Sequence, residues 1–79
     1  MSEQSTRLSG VEVGQSCVIE AFTDDEMKLK LLEMGCLPGE TVVIDRLAPM
    51  GDPMAIQVAG SIISIRMHEA FNVIVRPLS

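Results

Sequence analysis

Two rigid turns confine the middle of this chain more than any other feature. The first is Gly35-Cys36-Leu37-Pro38-Gly39 and the second is Ala48-Pro49-Met50-Gly51-Asp52-Pro53. Glycine takes the positive φ that other residues avoid, while proline holds φ near about −65° and donates no backbone hydrogen bond. Neither segment continues a helix or a strand, so whatever precedes Gly35 must stop there. Between the turns, the β-branched run from Glu40 to Leu47 has length for one strand. The chain is thus committed to a short helix delivered against a small β-domain.

The helix is predicted over about residues 24–34. Thr23-Asp24-Asp25-Glu26 has the T-x-x-E form of a capping box, in which the Thr23 hydroxyl accepts from the Glu26 N–H. The two aspartates place negative charge in the first turn, where the helix dipole favours it. Gly35 closes the other end. At 100° per residue Met27, Leu31 and Met34 share one face, and Leu29 and Leu32 lie almost opposite. One stripe is enough to bury a helix on a sheet. The second is either covered by a neighbouring segment or left facing solvent.

Four further strands are predicted around this helix. Cys17 to Phe22 precedes it, and Met54 to Val58 alternates with Met54, Ile56 and Val58 on one face. Ala59-Gly60-Ser61 signals a tight hairpin leading to a strand over 61–67. His68 to Asn72 is one helical turn, Val73 to Arg76 is the last strand, and Pro77 ends its pairing. Residues 1–7 read as a flexible tail and 8–79 as one domain. The fold class is mainly β: a small, partly open barrel of about five strands with one short helix after the first.

Composition narrows the function. A chain of 79 residues buries only about 60% of its unfolded surface, but 47% apolar content is ample for a core. Net charge is −5, with six Lys and Arg placed singly, so there is no basic stripe for phosphates and nucleic acid is not an expected partner. No apolar run approaches the about 20 residues of a membrane span, and residues 1–10 lack the apolar stretch of a secretory signal. A cytoplasmic location without membrane insertion is expected. Cys17 and Cys36 lack C-x-x-C spacing and read as small buried hydrophobes.

Motifs for catalysis are missing: the chain has no P-loop, G-x-G-x-x-G, H-E-x-x-H or G-x-S-x-G pattern and a single histidine. An enzyme is not expected, nor a resident cofactor. Of the six methionines, Met27, Met34, Met54 and Met67 fall on core faces, whereas Met50 sits at the tip of the second turn. There Pro49 and Gly51 set the backbone, and Asp52 before Pro53 is placed to bond its neighbouring backbone. Such a loop presents an apolar residue to a partner at low entropic cost. Leu29, Leu32, Pro49, Met50 and Asp52 are the candidate partner-binding residues. Gly35, Pro38, Gly39, Gly51, Pro53 and Gly60 are assigned to turns. An alternative chemistry is weak binding of a transition metal such as Fe²⁺ by His68 and Glu69. Self-association through an exposed strand edge is a third reading.

Leu8-x-x-Val11-x-x-Gly14, Leu31-Leu32-x-Met34-Gly35-x-Leu37-Pro38-Gly39, Ala48-Pro49-x-Gly51-Asp52-Pro53 and the Gly60 to Arg66 strand together resemble the FeoA family of ferrous iron transport proteins. The similarity runs over about residues 8–76. Val13 departs from it, standing where many members have proline. The resemblance implies an SH3-like barrel with an inserted helix. It also implies a role beside FeoB, a membrane permease for Fe²⁺ with a cytoplasmic GTP-binding domain, which FeoA-like proteins bind and modulate. The alternative it leaves is an Fe²⁺ chaperone or sensor using His68 and Glu69. The same domain type ends iron-dependent repressors of the DtxR kind.

Overall fold

In a computed structural model that describes residues 4–78, the chain forms six antiparallel strands in one sheet. The strands are β1 (Thr6–Arg7), β2 (Ser16–Phe22), β3 (Thr41–Leu47), β4 (Met54–Val58), β5 (Ser61–Ile65) and β6 (Val73–Pro77), with helices α1 (Asp25–Glu33) and α2 (Met67–Ala70). A single 3-10 turn, Leu8–Gly10, follows β1. The spatial order is β1-β6-β2-β3-β4-β5, so the last strand lies between the first two. Alternate residues of every long strand point inward. Cys17, Ile19, Val42, Ile44, Met54, Ile56, Val58, Ile65, Val73 and Val75 meet Leu8, Val11, Leu31, Cys36 and Ala70 in one buried cluster. The sheet therefore wraps a single core, as expected of a small barrel.

Two strand irregularities produce the bend. Register shifts between Ile19 and Ala21 in β2 and between Ile44 and Arg46 in β3, leaving Glu20 and Asp45 as extra residues. A bulge of this kind increases local twist and lets a short strand curl around a small core.

The expected helix is present, with a different start. Asp24, not Thr23, is the cap: its Oδ1 accepts from the N–H of Glu26 (2.9 Å) and of Met27 (3.3 Å). Thr23 is drawn away by a tertiary contact, its hydroxyl donating to Asn72 Oδ1 at 2.8 Å. The C-terminus closes as a Schellman motif. Gly35 sits at φ +100, the Cys36 N–H donates to Leu31 O at 2.9 Å and the Gly35 N–H donates to Leu32 O at 3.1 Å. The turn that follows is pinned to β2, with the Gly39 N–H donating to Ile19 O at 2.8 Å and the Ile19 N–H to Glu40 O at 3.0 Å. The first rigid turn is thus a hinge-free bracket between helix and sheet.

The tail expected over residues 1–7 is corrected at its inner end; its residues 1–3 lie outside the described residues. Thr6 and Arg7 pair with Val75 and Ile74 as β1, which raises the strand count to six. Arg7 fastens the pairing: its Nη1 donates to Phe71 O at 2.6 Å and its guanidinium lies 4.1 Å from the Phe71 ring centroid. Pro77 does not stand outside the ladder either, since it pairs opposite Cys17 at the end of β6.

The β4–β5 hairpin turns through Ala59 and Gly60, both at positive φ (53 and 81). This is the type I′ geometry that two-residue hairpins prefer, but alanine is a poor occupant of its first position. Ala59→Asn is expected to raise the free energy of unfolding by about 0.5–1 kcal/mol. A urea titration checks it, and an unchanged or lower midpoint would contradict the strain at Ala59.

Candidate functional site

The second rigid turn builds a projecting tip. Ala48 to Gly51 forms a β-turn closed by the Gly51 N–H donating to Ala48 O at 2.7 Å, and the Ala48 N–H donates back to Pro53 O at 3.0 Å. Pro49 takes the turn position that suits its fixed φ, Gly51 sits at φ +86, and the Asp52–Pro53 peptide bond is cis. Met50 occupies the outermost position and is 92% exposed. A long apolar side chain is thereby held in water on a backbone with few alternatives.

Behind the tip runs an open groove of about 400 Å³ lined by Arg46, Leu47, Ala48, Pro49, Pro53, Ala55 and Ser64. Its floor is the outer face of β3, β4 and β5, where Arg46 pairs opposite Ala55 and Ala55 opposite Ser64. Leu47 adds exposed apolar surface at its edge. Of these residues the sequence reading singled out only Pro49 as a contact. Strand alternation carried the signal for Ala55 and Ser64, but the bulge at Asp45 hides it for Arg46 and Leu47.

Asp52 has a different duty from the one expected. Instead of bonding the backbone beside it, its Oδ1 accepts from the Met67 N–H at 3.0 Å, at the first residue of α2. The loop is therefore tied to α2. So is α1, because Lys30 Nζ forms an ion pair with Glu69 Oε2. The structure brings the tip and α1 to the same short helix from two elements. Leu29 is 65% exposed, while Leu32 is half-buried. The second stripe thus splits: Leu29 faces solvent and Leu32 is partly covered.

Among the described residues Glu69 is the one charged residue in the core, 2% exposed. Oε1 accepts from the Arg66 N–H at 2.8 Å and Oε2 holds Lys30. Burial pushes its carboxyl up, but the Lys30 hydrogen bond, the Arg66 N–H and the charges of Lys30 and His68 outweigh it and hold it below its ordinary value. This geometry does not suit metal ligation by His68 and Glu69. The imidazole is on an exposed residue, and both carboxylate oxygens are engaged elsewhere. Among the described residues no group of three or more His, Cys, Asp or Glu is placed to hold a metal ion.

Cys17 and Cys36 are free thiols in the core. Burial pushes Cys17 up to about 11, and burial together with the Glu69 charge raises Cys36. Both stay protonated and unreactive at neutral pH. No described helix is long and apolar enough to cross a membrane.

The family model of the FeoA domain matches residues 6–77. The chain belongs to the FeoA-domain family. Solved structures agree. An FeoA-like protein from Clostridium acetobutylicum superposes with a TM-score of 0.91 at 29% identity, covering 100% of this chain and 92% of that one. The zinc complex of Stenotrophomonas maltophilia FeoA, described as a prokaryotic SH3-domain protein and a candidate ferrous iron transport activating factor, gives 0.77 at 31% identity over 89% of this chain and 88% of that one. The iron(II) transport protein A of Clostridium thermocellum gives 0.86 at 31% identity, covering 92% of this FeoA-domain chain and 46% of that one. A manganese-dependent transcriptional repressor shares the fold, with a TM-score of 0.84 at 10% identity over 99% of this chain and 44% of that one. No curated protein sequence is a significant match. The SH3-like barrel implied by the motifs is the fold of this family.

Proposed function

We propose that this FeoA-domain protein is an accessory factor of ferrous iron uptake. It docks on the cytoplasmic GTP-binding region of a FeoB-type permease and modulates GTP-linked Fe²⁺ transport. The observation that carries the docking surface is Met50, 92% exposed on a turn stiffened by Pro49 and Gly51 beside an apolar-edged groove. An exposed apolar side chain already held in place loses little entropy when a partner covers it. Leu29 on α1 supplies a second anchor, joined to the first through α2.

Calorimetric titration against the cytoplasmic region of the cognate permease, with and without nucleotide, tests this. Met50→Glu and Leu29→Glu are each expected to weaken binding at least about tenfold, as for central anchors of an interface. Both side chains are exposed, so the fold is expected to persist. Binding left unchanged by both substitutions would place the docking surface elsewhere.

The zinc complex of the Stenotrophomonas maltophilia relative is the observation favouring a metal-carrier reading. Here the engaged oxygens of Glu69 count against it. An anaerobic Fe²⁺ titration showing stoichiometric binding that is lost in His68→Ala would revive it.

A further inference from the structure

The sheet has two edges, and they differ in how well they are protected. At one edge β1 is only two residues long and is clamped by Arg7 on Phe71. At the other, β5 pairs with β4 without interruption from Ser61 to Ile65, and among the described residues no strand lies beyond it. Natural edges are usually blunted by a charge, a proline, a bulge or a covering segment. Ser61-Ile62-Ile63-Ser64-Ile65 carries no charge and no proline, and its register is unbulged.

The hairpin fixes which backbone groups face outward. A two-residue turn at Ala59-Gly60 makes Val58 and Ser61 a hydrogen-bonded pair, and bonded pairs recur at every second residue. Ile56–Ile63 and Met54–Ile65 are then bonded pairs as well. The N–H and C=O of Ile62 and Ser64 consequently point away from β4. Ile62 is also 60% exposed, the largest apolar side chain on this strand to face solvent.

We propose that this edge is a self-pairing surface, on which a second copy of the chain adds its own β5 antiparallel about a twofold axis through Ile63. In that register Ile62 of each copy pairs with Ser64 of the other, and all four outward N–H groups find carbonyls. Ile63 stands opposite Ile63 across the axis as a close, non-hydrogen-bonded pair of β-branched residues, a stabilising combination. On the outer face the two Ile62 side chains come within diagonal reach.

Charge does not bar a second copy from this edge. The net charge of −5 opposes self-association in general, but β5 itself carries no ionisable residue and runs into the cationic Arg66, with Asp52 tied to the Met67 N–H just beyond. The twofold register sets Arg66 opposite Gly60 of the other copy. The two Arg66 residues are then about 20 Å apart along the strands, at about 3.3 Å per residue, well beyond the roughly 8 Å screening length at physiological salt. Two five-residue strands bury well under the about 1,000 Å² of a standing interface, so the dimer forms with concentration and is not permanent.

Sedimentation measurements over a concentration series up to millimolar protein, paired with amide hydrogen exchange, test the proposal. Dimerisation is expected to rise with concentration, and the Ile62 and Ser64 amides to gain protection with it. Ile62→Lys and Ser64→Pro are each expected to weaken self-association at least tenfold. The proline removes only an outward N–H, a position where edge strands tolerate it. Should Ser64→Pro fail to fold, Ile62→Lys and the two amides still decide. A chain that stays monomeric to millimolar concentration overturns the proposal, as does a dimer indifferent to both substitutions. A monomeric chain whose binding to the permease region is lost in Ile62→Lys also overturns it, and assigns the edge to a strand of that partner.

Discussion

Leu31→Ala is expected to lower the free energy of unfolding by about 2–5 kcal/mol, the cost of a deleted core leucine and the cavity it leaves. Leu31 is fully buried in the central cluster, and its carbonyl accepts the Cys36 N–H that closes the helix. At roughly 0.05–0.15 kcal/mol per residue the whole chain is held by about 4–12 kcal/mol, so the substitution removes a large share of the total. Leu29→Ala, on the solvent face of the same helix, is expected to change stability by only about 0.5 kcal/mol. Urea titrations of the two variants make the comparison. Equal losses would mean that α1 does not present these two leucines to opposite environments.

The second large effect concerns Lys30 and Glu69. At neutral pH Lys30→Met is expected to cost about 2–3 kcal/mol, the upper part of the range for leaving a buried acceptor without its partner, because it strands the Glu69 carboxylate. The cost is less than that of a fully buried pair because Lys30 is largely in water. Glu69→Gln is expected to cost less, about 1–2 kcal/mol, because the Lys30 side chain is 60% exposed and returns to water. The pH dependence follows from the sign of the shift. In the native chain the folded carboxyl is held below its unfolded value, so its stabilisation is complete above the unfolded pKa and is lost as pH falls through the lower folded one. Without Lys30 burial is opposed only by the Arg66 N–H and the His68 charge, and the folded pKa rises from its native position. The variant's deficit relative to the native chain is therefore largest at neutral pH and closes as the carboxyl is protonated in acid. Urea midpoints followed from the acid carboxylate range to neutrality test this. Parallel curves for the native chain and Lys30→Met would show that the ion pair is not what sets the Glu69 pKa.

Local chemistry made much of the fold legible. Gly35, Pro38-Gly39 and Ala59-Gly60 mark turns through backbone conformations that few other sequences adopt, and the alternation in Met54–Val58 sets the buried face without reference to the rest of the chain. What escaped was decided by distant partners. Thr23 and Asp24 both make good caps, and the choice fell to Asp24 because Asn72 takes the Thr23 hydroxyl. Thr6–Arg7 is too short to show a period and becomes a strand only through β6. Glu69 looks like a solvated turn residue until Lys30 is brought across to it. The candidate surface divides in the same way. Met50 was readable from its place between Pro49 and Gly51, whereas the groove needs three strands to be in register before it exists.

The position of β6 bears on how the molecule is made. It leaves the ribosome after the five other strands, yet it belongs between β1 and β2. Until it is in place, β3, β4 and β5 can pair as successive hairpins, but β1 has no partner and β2 has one open side. Val73 and Val75 are missing from the core for the same interval. The three-stranded meander is therefore the locally connected unit of the fold, and closure of the barrel waits on the long-range pairing of a single strand.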